Sequence, residues 1–148
     1  MLISHKYKFI YTKTVKTGGT SVESYFEPFC MPDEEWKFSH QRNEYVSEYG
    51  IIGHRGQPGN YTWYNHMSAQ KIREKIGQSV WNNYFKFCVV RNPFEKLVSE
   101  FYFERNRSNL DFPSQVKKRI KRMLGKPGVL DDINHSDEIE AFRTWITR

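Results

Sequence analysis

The feature that most constrains this sequence is a glycine pair between an apolar run and a helical repeat. In "KYKFIYTKT" an aromatic residue occupies every second position from Tyr7 to Tyr11, which predicts a strand. Beyond the glycines, Val22, Tyr25 and Phe26 fall on one face of a helix. The segment therefore predicts a strand, a glycine loop and a helix in succession.

The loop, "TKTVKTGGTS", has the composition of an anion-binding loop. Backbone N–H groups at the start of a helix, together with the helix dipole, attract an anion. A Walker A loop needs its lysine directly after the last glycine, whereas Lys16 precedes both glycines here. A glycine turn with exposed polar residues would be the first explanation for the glycine pair taken alone. The groups that could contact an anion are Lys16, Thr17, Gly18, Gly19, Thr20 and Ser21.

A second junction, "CVVRNPFEKLVS", has a similar layout. "YFKFCVVRN" has the composition of a buried strand, and "NPFEKLVSEFYFERN" begins with Asn92 as a helix cap and Pro93 at the first helical position. Arg91 leaves the strand end, and Ser99 lies two turns up the helix. An arginine fork with a hydroxyl favours a phosphate site, although each residue alone is more often an ordinary surface residue.

The remaining segments continue the alternation of strands and helices. "GIIGHRG" predicts a short buried strand, a helix is expected from Ser68 to Gly77, and residues 27 to 49 are predicted to be mostly loop. We therefore expect an α/β fold with a three-layer α/β/α arrangement and a mainly parallel sheet, with both junctions at the same edge. A length of 148 residues predicts a single domain over 1–148.

The positive charge of the chain is concentrated in one segment. The sequence has 23 Lys and Arg against 17 Asp and Glu, and residues 117 to 126 contain six basic and no acidic side chains. The default interpretation is the solvated face of an amphipathic helix. Capture of an anionic acceptor is a second interpretation, and nucleic-acid binding is the third and lowest ranked.

The sequence indicates neither a secreted or membrane-spanning protein nor one held together by disulfides or zinc. No stretch has the length and apolarity of a signal peptide or a membrane span, so we expect a cytoplasmic protein. Cys30 and Cys88 are too few for a disulfide framework and lack the spacing of zinc ligands. The sequence therefore predicts no metal site.

The two junctions together resemble those of the sulfotransferase family that uses 3'-phosphoadenosine 5'-phosphosulfate (PAPS). "HMSAQKIREKIG" and "WNNYFKF" are similar to its carbohydrate and bacterial branch, so the resemblance covers roughly residues 7 to 106. It implies a P-loop-like fold in which Arg91 and Ser99 bind the 3'-phosphate. Family members usually continue into a later loop over the adenine, so the resemblance implies a chain truncated at its C-terminus. The residues that it assigns to the 5'-phosphosulfate are Lys16, Thr17, Gly18, Gly19, Thr20 and Ser21.

The resemblance also implies a mechanism without a metal cofactor. Lys16 would stabilise charge on the transferring group, and a histidine would deprotonate an acceptor hydroxyl. His66 is the preferred base and His54 the second candidate, although a histidine that merely caps or packs explains either residue equally well. The acceptor would be a hydroxyl compound or an amine, with carbohydrates among the candidates.

Two other functions remain open at this point. A P-loop-like nucleotide kinase would have a similar loop but needs a lysine after the second glycine and a carboxylate for magnesium, and neither is evident. A non-catalytic nucleotide- or polyanion-binding domain would keep the fold without turnover. Binding of adenosine 3',5'-bisphosphate and sulfate transfer from PAPS would distinguish these functions.

Overall fold

The computed structural model describes residues 1–108 and 135–147. It divides the chain into two compact units, Met1–Arg91 and Asn92–Arg148. The strands are β1 (Leu2–Ser4), β2 (Phe9–Tyr11), β3 (Tyr45–Val46), β4 (Gly50–Ile52) and β5 (Phe85–Phe87). The helices are α1 (Gly19–Phe26), a 3-10 turn (Glu27–Cys30), α2 (Ala69–Ile76), α3 (Gln78–Asn83), α4 (Pro93–Ser108) and α5 (His135–Ile146).

The first unit contains a five-stranded mixed sheet in the order β3-β4-β1-β2-β5. Strand β1 pairs antiparallel with both β2 and β4, and β3 pairs antiparallel with β4. Only β2 and β5 form a parallel pair, with Tyr11 opposite Phe87. The α/β class is confirmed, but the prediction of a mainly parallel sheet was wrong.

Short connections explain two of the three antiparallel pairs. Residues 5–8 join β1 to β2, and residues 47–49 join β3 to β4. Such short connections can reverse the chain, but they cannot make the long crossover that a parallel pair needs. The sequence pattern also missed β1, because Leu2–Ser4 is three residues long and entirely buried, so it shows no polar alternation. The P-loop-like three-layer arrangement stays a prediction.

Two apolar clusters form the core of the first unit. Met1, Ile3, Ile10 and Ile51 share one cluster with Ile72 of α2. The second cluster contains the sheet residues Leu2, Phe9, Tyr11 and Ile52. Val22 and Phe26 of α1 pack against it. Neighbouring strand residues divide between the clusters because successive side chains point to opposite faces of a sheet.

Local helix signals in the sequence are confirmed. The Ser68 hydroxyl accepts a hydrogen bond from the Lys71 backbone N–H at 3.3 Å, and α2 ends at Gly77, whose φ is 82°. The Asn92 side chain accepts a hydrogen bond from the Phe94 N–H at 2.9 Å and so caps α4. These signals act within a few residues, which is why the sequence predicts them well.

The second unit pairs α4 with α5. Phe101, which is buried, packs edge-on against Phe142, and the two ring centroids are 5.2 Å apart. The Trp145 indole N–H donates to Glu104 at 2.7 Å, and the Tyr102 hydroxyl donates to Glu138 at 3.0 Å. Among the described helices, none combines the length and apolarity needed to cross a bilayer.

Candidate anion-binding site at one edge of the sheet

Three strands of the first unit end at one edge of the sheet. Because β1 lies antiparallel to both β2 and β4, those two strands run in the same direction, and β5 runs with them. Their carboxyl ends lead into residues 12–18, 53–57 and 88–91 respectively. The strand ends of the two junctions therefore lie at one edge of the sheet, as the sequence predicts.

Hydrogen bonds join the first loop to the end of β5. The Thr12 N–H donates to the Phe87 carbonyl at 3.0 Å. The Thr14 hydroxyl donates to the Val89 carbonyl, two residues before Arg91. The glycine loop and the chain segment that leads to Arg91 are therefore in direct contact.

The loop reaches α1 through two left-handed backbone conformations. Lys16 has a φ of 60° and Gly18 a φ of 70°. This conformation costs a lysine about 1 kcal/mol or more but suits glycine. The Thr17 hydroxyl donates to the Thr14 carbonyl at 3.1 Å, which braces the turn. Gly18 is the N-cap of α1 and has no side chain with which to bond the N–H groups of the first turn.

Gly19 is required by a close approach of the Lys13 side chain. A Cβ atom on Gly19 would lie 2.7 Å from Cγ and 2.8 Å from Cε of Lys13. The Lys13 side chain thus runs directly against the start of α1. Its ammonium group donates to the Thr20 hydroxyl oxygen at 3.2 Å and to a Glu23 carboxylate oxygen at 2.7 Å.

Glu23 belongs to a buried charge network that the sequence pattern missed. The Arg55 guanidinium bridges Glu23 at 2.7 Å and Glu27 at 2.8 Å, and Arg42 forms an ion pair with Glu27 at 2.9 Å. The amino group of Met1 also donates to Glu23 at 2.7 Å. Burial by itself would raise the pKa of Glu23, but the Met1 ammonium and Lys13 outweigh it and hold the pKa below its ordinary value.

A sequence signal for this network existed. Lys13 continues the alternation of Phe9 and Tyr11, so it occupies a position that faces the core. Glu23 and Glu27 are four residues apart, on one face of the helical segment. A lysine and two glutamates at core-facing positions predict mutual pairing, because a buried charge without a partner is costly.

His66 lies beside the first residues of the loop. Its Nδ1 atom is 3.3 Å from the Lys13 carbonyl oxygen. A carbonyl can only accept, so Nδ1 carries the hydrogen and the neutral ring keeps its lone pair on Nε2. Desolvation and the positive charge of Lys13 lower the pKa of His66 below its ordinary value. The ring is therefore neutral at physiological pH.

His54 has a more enclosed position. Its Nε2–H donates to the Gln57 carbonyl at 2.9 Å, and its ring stacks on Tyr61 with centroids 3.5 Å apart. The Nδ1 atom is buried and has no hydrogen-bond partner among the residues that the structure describes. These contacts hold the ring against residues of its own loop.

The other predicted site residues fall on different parts of the chain. Arg91 belongs to the first unit, whereas Ser99 lies on α4 in the second unit. Their shared contact with a 3'-phosphate stays a prediction. The basic segment 117–126 lies outside the described residues. In 1–108 and 135–147, no group of three or more His, Cys, Asp and Glu side chains is arranged to hold a metal ion.

Comparisons with known proteins point to a family. A family model described as "Sulfotransferase family" matches residues 1–147. A protein of Archaeoglobus fulgidus, itself described as uncharacterized, is 34% identical over 80 residues, which cover 51% of this chain and 67% of that protein. No solved structure gives a significant match.

Proposed function

This chain belongs to the sulfotransferase family, and from that premise we propose that it transfers a sulfuryl group from PAPS to a hydroxyl or amine of an acceptor, with carbohydrates as the first acceptor class to examine. The observation that carries the proposal is the convergence of the glycine loop, the start of α1 and the segment leading to Arg91 at one sheet edge. That edge offers the backbone N–H and hydroxyl donors that an anionic group requires.

The proposed donor site has two parts. Lys16 and the segment from Thr17 to Ser21 contact the 5'-phosphosulfate. Arg91 and Ser99 contact the 3'-phosphate, for which an arginine fork is well suited. The contact of the first loop with the segment that leads to Arg91 supports placing Lys16 and Arg91 on one ligand.

The proposed reaction is an in-line displacement at sulfur. The acceptor oxygen forms a bond to sulfur while the bond from sulfur to the bridging phosphate oxygen breaks. Adenosine 3',5'-bisphosphate leaves with the bonding electrons, and the acceptor proton moves to a base. Negative charge grows on the bridging oxygen, where Lys16 stabilises it. The remaining contribution of the protein is to position donor and acceptor.

We assign the base to His66. Its Nδ1–H is directed at the Lys13 carbonyl, so Nε2 is the nitrogen that accepts the proton. Its lowered pKa keeps the ring neutral at physiological pH and ready to accept. His54 donates through Nε2 and buries Nδ1, which favours a packing role for that residue.

The decisive experiment follows sulfate transfer from labelled PAPS, together with calorimetric binding of adenosine 3',5'-bisphosphate. Lys16→Ala should lower transfer about 10²–10³-fold while weakening binding much less, because its charge contact grows in the transition state. Arg91→Ala should weaken binding itself. Lys37→Ala, which removes an exposed lysine remote from the loop in sequence, serves as the matched control.

A comparison of the His66→Ala and His54→Ala variants tests the assignment of the base. His66→Ala should lower transfer to a hydroxyl acceptor and leave nucleotide affinity nearly unchanged. In the unaltered protein, the transfer rate should rise with pH through the pKa of His66, which lies below its ordinary value of 6.5. If His54→Ala gave this pattern and His66→Ala did not, the base would be His54.

Two results would contradict the proposal and support a different function. Binding of the bisphosphate without any transfer would indicate a non-catalytic nucleotide-binding domain. Magnesium-dependent phosphoryl transfer from ATP, without sulfuryl transfer, would indicate a kinase.

A further inference from the structure

We propose that Lys13 is a positioning residue, which orients the Thr20 hydroxyl toward the bound anion and is itself held by Glu23. This inference rests on the proposed function, because the anion is the phosphosulfate end of PAPS. Neither Lys13 nor Glu23 is among the residues from Lys16 to Ser21 that were named above as possible anion contacts.

The first argument is the path of the Lys13 side chain. The residue lies two positions beyond β2 and is 6% exposed. Its side chain fills the space where Gly19 would carry a Cβ atom. The ammonium group therefore reaches the start of α1 from the protein interior rather than from the side open to solvent.

The second argument is the direction of hydrogen bonding. An ammonium group has hydrogens to donate and no lone pair to accept with. In the 3.2 Å contact, the Thr20 oxygen must therefore be the acceptor. Its own hydrogen must point elsewhere, and it is free to donate to an anion at the loop. Lys13 thus fixes the Thr20 hydroxyl in the donor orientation that a phosphate or sulfate oxygen requires.

The third argument is the anchoring of Lys13. Glu23 accepts from Lys13 at 2.7 Å and from Arg55 at the same distance. Arg55 is fixed in turn by Glu27 and by the carbonyls of Ser39 and His40. Movement of Lys13 into solvent would leave a buried carboxylate with one partner fewer, which is unfavourable. The network consequently holds the ammonium group at Thr20.

The test is a double-mutant cycle on the affinity for adenosine 3',5'-bisphosphate and on transfer from PAPS. Thr20→Val and Lys13→Met should each weaken binding about tenfold, because each removes or misdirects a hydrogen bond to a charged group. The double variant should lose no more than Thr20→Val alone, since Lys13 acts through the Thr20 hydroxyl. Lys13→Arg should recover part of the affinity.

Matched controls separate positioning from general stability. The fold-losses of affinity caused by Ser21→Ala and Lys13→Met should multiply in the double variant, because Lys13 has no described contact with Ser21. If Lys13→Met does not fold, Lys13→Met/Glu23→Gln replaces it, since this pair removes both buried charges together. Arg55 keeps its ion pair with Glu27 in that variant, so the variant should fold, melt below the unaltered protein and still show the binding defect.

The two proposals fail in different ways. If the unaltered chain neither bound the bisphosphate nor transferred sulfate, the proposed function would fall and this inference with it. If the unaltered chain bound normally while the Lys13 and Thr20 losses simply multiplied, only the positioning role would be overturned. Normal binding by Lys13→Met/Glu23→Gln would overturn it as well.

Discussion

Replacement of Gly19 by alanine should destabilise the protein through a single neighbour, the Lys13 side chain. The new Cβ atom would lie 2.7 Å from Cγ and 2.8 Å from Cε of Lys13. Overpacking of this kind costs about 1–3 kcal/mol. The φ of Gly19 is not positive, so its backbone conformation contributes no penalty.

The same substitution should reverse its effect when Lys13 is shortened. In a Lys13→Ala background the close atoms, Cγ and Cε, are absent, as is Cδ at 3.2 Å. Alanine should then stabilise the helix start by about 0.4–1 kcal/mol, because it restricts the unfolded chain. The coupling free energy between the two positions should therefore be about 1.5–4 kcal/mol, the difference between these two effects.

Urea unfolding at equilibrium measures all four free energies of unfolding. Gly18→Ala is the matched control, because the added Cβ meets no atom within 4 Å but the alanine has to adopt a φ of 70°. It should cost about 1–2 kcal/mol in both backgrounds. Equal costs of Gly19→Ala with and without the Lys13 side chain would refute this reasoning.

Three further predictions concern acid stability, thiol reactivity and a helix cap. The folded-state pKa of Glu23 lies below its ordinary value of 4.5, so its stabilisation is fully present above that pH and is lost as pH falls through the folded value. Glu23→Gln should therefore flatten the decline of the melting temperature in acid, and an unchanged decline would contradict this role. A thiol reagent should modify exposed Cys88 before Cys30, whose pKa burial raises to about 12, and mass spectrometry that finds Cys30 labelled first would be a contrary result. Ser68→Ala should lower the free energy of unfolding by about 1 kcal/mol, with exposed Ser79→Ala close to neutral in the same urea assay.

Several parts of the fold and of the site could be predicted from the sequence because they depend on near neighbours. The Asn92 and Ser68 caps, the helix end at Gly77 and the glycine loop before α1 all act over a few residues. The shared edge of the two strand ends also followed from the sequence, because parallel strands have their carboxyl ends at the same edge of a sheet.

The arrangement of strands could not be read in this way. Strand β1 is short and fully buried, and its place between β2 and β4 is fixed by pairing with segments distant in sequence. A run of three buried residues is too short to show a periodicity that would assign it to a strand. The pattern therefore overestimated the parallel character of the sheet.

The sequence by itself determined the glycine loop, the helix starts and the family to which the chain belongs. Only the tertiary structure decided that Lys13 reaches Thr20 and Glu23, that Arg55 joins Glu23 to Glu27, and that His66 faces the Lys13 carbonyl. Glycine and cap preferences arise from backbone geometry within one turn, whereas a buried charge has meaning only through its partner. Because Glu23 and Arg55 are 32 residues apart, their pairing is set by folding rather than by local pattern.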